Sequence, residues 1–166
     1  MLMKRKSILP VITSAASLAH HGLLGSVDFL TLGDVDLTSV PAEHLASLVS
    51  SVKEHLVIGN VSGCDLVTIL DSVKSKELDI SRQSLGSEET QALVQAMESG
   101  VEEVELDEEV KLDIRDLMKY NGQGKCREVR CYSDTADRYR EQLRIWAKSR
   151  NWEVTHDVGC FSIERN

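Results

Sequence analysis

Residues 27–37 read Val27-Asp28-Phe29-Leu30-Thr31-Leu32-Gly33-Asp34-Val35-Asp36-Leu37. Leu30 and Leu32 flank Thr31 in the alternation of a strand buried on one face, so the two leucines point inward and Thr31 points out. The same apolar triplet recurs as Leu56-Val57-Ile58, Leu78-Asp79-Ile80, Val104-Glu105-Leu106 and Val129-Arg130-Cys131. Successive triplets start 26, 22, 26 and 25 residues apart. A nearly fixed period in the twenties is the mark of a solenoid, whose usual product is an extended binding surface.

Each triplet leads into an amphipathic stretch. After the first, Thr38-Ser39-Val40-Pro41 turns the chain and Pro41 suits the first turn of a helix with Leu45, Leu48, Val49 and Val52 on one face. The second unit passes through Ser62-Gly63-Cys64 to a helix with Leu66, Val67, Ile69 and Leu70 apolar. In the third, Gln83 stands where an amide can bond to loop backbone, and Ser87 is the expected cap of a helix carrying Glu88 and Glu89 in its first turn. Leu93, Ala96 and Met97 are that helix's inner stripe, and Gly100 stops it. The fourth helix holds Ile114, Leu117 and Met118 and breaks at Asn121-Gly122. Ser133 or Asp134 is expected to cap the fifth, which turns Tyr139, Leu143, Trp146 and Ala147 inward.

The chain is expected to be a single domain, 1–166, of about five repeats. Residues 1–26 are read as an N-terminal helix and 151–166 as a C-terminal β cap, with strand alternation on either side of His156-Asp157-Val158-Gly159. The fold class is therefore α/β: a parallel sheet on the concave face and helices on the convex face. A competing reading of the N-terminus is a secretory signal, with Lys4-Arg5-Lys6, an apolar run to Ile12 and Ser17-Leu18-Ala19 as cleavage site. No comparable cap is visible at the N-terminal end, which predicts self-association through an uncovered edge or a longer parent chain. No run is long enough to cross a membrane, so no membrane partner is expected.

Aromatic residues make up 4% of the chain, so the repeated core must be aliphatic. The net charge of −8 argues against nucleic acid as a partner. Four scattered cysteines fit reduced thiols in the cytoplasm better than a disulfide scaffold.

In its apolar positions the first unit resembles the leucine-rich-repeat template, Val27-x-x-Leu30-x-Leu32-x-x-Val35-x-Leu37. The chain is similar to the ribonuclease-inhibitor type of that family over roughly residues 12–150, although Val35, Val61, Gln83, Glu109 and Asp134 stand where the family's loop Asn is expected. The resemblance implies a non-enzymatic protein-recognition module, and a link to the repeat regions of nucleotide-binding innate-immune receptors. No phosphate-binding loop GxxxxGK[ST] is present, so the chain is not itself the nucleotide-binding part.

The outward strand positions are Phe29, Thr31 and Gly33, then His55, Val57 and Gly59, then Glu77, Asp79 and Ser81, then Glu103, Glu105 and Asp107, then Glu128, Arg130 and Tyr132. We take Glu77, Asp79, Glu103, Glu105, Asp107, Arg130 and Tyr132 as the partner-binding set. Its acidic centre selects a protein with a basic surface. No catalytic residue, cofactor or metal is expected: the acidic strands carry no His to act as a base. The weighed alternatives are a secreted recognition protein glycosylated at Asn60, a zinc site from Cys126, Cys131, His156 and Cys160, an enzyme, and nucleic-acid binding through Arg140, Arg144 and Lys148. His20-His21 reads as a helix end.

Overall fold

The computed structural model describes residues 11–12 and 27–166. Among them run β1 (Val11–Ile12), β2 (Val27–Leu32), β3 (Val35–Asp36), α1 (Ala42–Ser50), β4 (Val52–Ile58), β5 (Val61–Ser62) and α2 (Leu66–Asp71). They continue as β6 (Glu77–Ile80), α3 (Ser87–Ser99), β7 (Glu103–Leu106), α4 (Ile114–Leu117), β8 (Glu128–Tyr132), α5 (Ser133–Ser149), β9 (Glu153–Asp157) and β10 (Cys160–Glu164). The fold is α/β. Eight strands form one sheet in the order β1-β2-β4-β6-β7-β8-β10-β9. It is parallel from β1 to β8, and β10 and β9 close it antiparallel.

Parallel neighbours need a crossover, and α1 to α4 supply one each. Crossovers of one hand put these helices on one side of the sheet, and consecutive helices touch. The strands then have two unlike faces. Leu30, Leu32, Leu56, Ile58, Leu78, Ile80, Val104, Leu106, Val129 and Cys131 are all buried under the helices. The residues between them face away. Leu45, Leu48 and Val49 of α1, Leu93, Ala96 and Met97 of α3, and Tyr139, Leu143, Trp146 and Ala147 of α5 complete the core, as their spacing predicts.

Several boundaries differ from expectation. Val52 opens β4 instead of extending α1, and Pro41 is the residue ahead of that helix. Ser87 does not cap α3. Gly86 holds the cap position, and the Ser87 hydroxyl donates to Asp116 on α4, tying two crossovers together. Neither Ser133 nor Asp134 caps α5; the Asp134 carboxylate accepts instead from the Glu109 amide at 2.9 Å. Among the described helices the side-chain caps are Asp65 on α2 and Asp113 on α4. At the N-terminus, Val11–Ile12 form a strand against Thr31–Leu32 where helix was expected, so the end of β2 is not a bare edge. The rest of the expected 1–26 helix, the signal-like run and His20-His21 lie outside the described residues.

Behind the main sheet the loops make a second, narrower seam. β3 pairs parallel with β5, and Ser84 bridges to Lys111 further along. Between those stretches Gln83 takes over. Its amide donates to the carbonyls of Gly59 at 2.6 Å and Val61 at 3.2 Å, and the residue is buried. Gly63 shows why the seam is tight there: it has φ +70°, and a Cβ would stand 2.2 Å from the Thr38 hydroxyl.

The core is aliphatic along its length but aromatic at its C-terminal end. The two tryptophans of the chain, Trp146 and Trp152, meet at 5.2 Å, and Tyr120 lies 6.2 Å from Trp146. Phe161 of β10 is also fully buried. The expected β cap of 151–166 thus forms as a hairpin, turned at Val158-Gly159.

Replacing Gln83 with Leu strips the buried Val61 carbonyl and the part-buried Gly59 carbonyl of this donor. The expected loss is about 1–3 kcal/mol, the cost of stranding such groups, read as a lower urea midpoint at unchanged slope.

Candidate functional site: the open face of the sheet

Parallel register turns the outward positions into rows across the sheet. One row runs Phe29-His55-Glu77-Glu103-Glu128 and the next Thr31-Val57-Asp79-Glu105-Arg130. Four of the seven expected binding residues, Glu77, Asp79, Glu103 and Glu105, therefore form a compact block on β6 and β7. Arg130 closes the second row. Asp107 stands exposed just past β7, and Tyr132 ends β8 opposite Cys160.

Carboxylates on adjacent parallel strands repel, and the fold answers that repulsion unevenly. On the β8 side the charge is neutralised. Arg130 reaches Glu105 at 2.9 Å and Glu128 at 2.9 Å, and lies 3.9 Å from Glu103. Arg127, just before β8, reaches Glu103 at 3.0 Å. Glu128 is only 12% exposed at its side chain, and Ser162 of β10 donates to it as well. These carboxylates are held by two arginines and belong to the scaffold as much as to the surface.

On the β4 side the answer is a histidine. His55 Nε2 lies 2.9 Å from Asp79 and Nδ1 lies 3.6 Å from Glu77, with Phe29 edge-on to the imidazole at 6.4 Å. The close contact to Asp79 lacks the alignment of a hydrogen bond. Asp79 is 22% exposed at its side chain. Burial, joined by the Glu105 charge, pushes its carboxyl up to about 6; His55 pulls the other way. Glu77 is half exposed and points to solvent.

The triplet pattern aligns the rows but does not reveal this partition. The acidic strands carry no His; the basic group beside Asp79 comes from the neighbouring strand, and the triplet alignment that puts His55 next to Glu77 is the signal for it. The role of Arg127 lay outside the strand pattern altogether.

The alternatives fare differently. The four proposed zinc ligands are not assembled. Cys126 and Cys131 are buried in the core, where desolvation pushes both thiols up to about 12, while Cys160 shares the opposite face with Tyr132. Among the described residues no group of three or more His, Cys, Asp or Glu is placed to hold a metal. On α5, Arg140 and Arg144 pair with Asp137 and Glu141 within the helix, which reduces the free positive charge of that face. No helix among the described residues is long and apolar enough to cross a membrane.

The chain matches no family model, no curated protein and no solved structure.

The Asp79 arrangement fixes a pH dependence. The folded protein holds the Asp79 proton more tightly than the unfolded chain, so this group's contribution is complete below about pH 4 and is lost as pH rises through about 6. Asp79→Asn keeps the shape and removes the charge. It is expected to be more stable than the parent at pH 7 by on the order of 1 kcal/mol after allowing for solvent screening, with the gap closing in acid. Urea unfolding of both proteins across pH checks the sign.

Proposed function

We propose that the chain is a leucine-rich-repeat solenoid, similar to the ribonuclease-inhibitor type, whose open sheet face captures a protein with a basic surface. The observation that carries this reading is the in-register block of Glu77, Asp79, Glu103 and Glu105, with its charge left least compensated at Glu77 and Asp79. Strand order that follows chain order, one helix per crossover and a second seam through the loops all support a solenoid. Gln83 plays the part that the resemblance gives to a loop Asn. The link to innate-immune sensor repeats rests on the resemblance alone.

Four free cysteines, two of them buried, favour a reducing compartment such as the cytoplasm. The place of Val11–Ile12 in the sheet weighs against a cleaved signal. A catalytic reading of the serine- or cysteine-nucleophile type needs a hydroxyl or thiol near the His55–Asp79 pair. The in-register neighbours are Phe29, Val57, Glu77 and Glu105, none of which offers a hydroxyl or thiol. Recognition is the chemistry this face supports best.

Glu77→Lys combined with Asp79→Asn tests the reading against Glu103→Gln combined with Glu105→Gln. Pull-down on immobilised protein at low and high salt is expected to retain a partner that salt releases. The first pair of changes weakens retention more than the second, because Arg127 and Arg130 already occupy the second pair of carboxylates. Equal retention by the parent and both variants at either salt concentration sinks the proposal.

A further inference from the structure

The far end of the sheet offers a different surface. β9 pairs with β10 along one side, and among the described residues no strand covers its other side. A free strand edge presents a row of main-chain donors and acceptors that a second extended chain can complete. Next to this edge lies a cleft of 310 Å³ between α5 and β9, lined by Arg144, Lys148, Asn151, Trp152, Val154 and His156.

The cleft is basic on balance: among the described residues no carboxylate pairs with Lys148, while Glu141 offsets part of the Arg144 charge. Arg144 and Lys148 are four apart on α5 and so share a helix face. Glu141 grips the Arg144 guanidinium at 2.8 and 3.2 Å, which fixes its orientation. Lys148 is exposed one turn further on. Strand alternation sends Val154 and His156 to this side, and His156 sits edge-on to the buried Phe161 at 5.0 Å. No carboxylate lines the cleft. The other face of β9 carries Glu153, Thr155 and Asp157, all exposed.

We propose that β9 takes up an extended acidic peptide as an added strand, with acidic side chains at every second position turned into the Arg144–Lys148 cleft. The intervening side chains of that peptide meet Glu153, Thr155 and Asp157, which favour neutral or basic residues there. A second copy of this chain is a poorer occupant. Edge-to-edge pairing about a two-fold axis across the sheet would bring two basic clefts together on one side. Nucleic acid is a poorer occupant too, because the net charge is −8 and acidic residues face out from β9. This site is separate from the acidic block of the open face and stands or falls independently of it.

Fluorescence anisotropy with labelled peptides tests the proposal. A peptide of alternating Glu and Thr is expected to bind, and its alternating Lys and Thr counterpart is not. Arg144→Glu with Lys148→Glu is expected to weaken the acidic peptide by about tenfold or more, as for loss of close charge pairs. An unchanged melting temperature of that variant guards against misfolding as the cause. Main-chain pairing is read separately, by N-methylating every second peptide amide in the two possible phases: one phase blocks the ladder and the other does not. Equal binding of both phases, equal binding by parent and variant, or no binding of the acidic peptide overturns the proposal. So does displacement of the peptide by single-stranded nucleic acid that binds the parent more tightly.

Discussion

Two rows of buried side chains hold this structure in register: Leu30-Leu56-Leu78-Val104-Val129 and Leu32-Ile58-Ile80-Leu106-Cys131. Every member is under 3% exposed. A strand that slipped by one residue would turn its aliphatic pair to solvent and bring its polar middle residue under the helices. Since burying each such side chain contributes about 1.5–3 kcal/mol, the slip is strongly disfavoured. The unequal spacing of the units does not disturb the rows, because the loops absorb the difference. The unit beginning at Leu56 is short and carries the six-residue α2, whereas the unit beginning at Leu78 carries the thirteen-residue α3.

Register fixed by the core dictates the electrostatics of the opposite face. Glu105 has to stand beside both Asp79 and Arg130, whatever its own preference. Burial, joined by the Glu105 charge, pushes the Asp79 carboxyl up to about 6, whereas Glu105 gains the guanidinium of Arg130. Neighbours in a row therefore stand in unlike electrostatic surroundings, although residue type alone would make them equivalent. Breaking one of these contacts redistributes the charge of several strands. The Arg130 guanidinium alone meets carboxylates from β7 and β8, so it is a bracket across the sheet as well as a surface charge.

The sequence was informative where a residue's environment is set by period. The middle residues Thr31, Val57, Asp79, Glu105 and Arg130 align in the structure as they do in the triplets, and the Gln83 amide reaches loop carbonyls as its position suggests. It was uninformative where side chains leave their own unit. Ser87 and Asp134 look like caps because both types cap helices, yet each finds a partner one unit away. Thr135, which no pattern singled out, both accepts from the Val110 amide and donates to the Asp107 carbonyl. The aromatic residues at the C-terminal end follow a similar logic. Large flat side chains such as Trp146 and Trp152 fill the core between α5 and β9 with few residues.

The proposed recognition face is best judged by what folding alone would select there. A carboxyl pushed up to about 6 is ionised at neutral pH at a cost in stability, and a Thr or Val in its place, as on β2 and β4, would avoid that cost. The β8 side shows that this protein can compensate acidic strands, since Arg127 and Arg130 do so within 3.0 Å. The β6 side is left with His55 instead, and with Glu77 open to solvent. A surface that spends folding stability on an incompletely matched charge gains by being matched from outside. A basic partner seated over Glu77 and Asp79 would restore the balance that the sheet itself withholds.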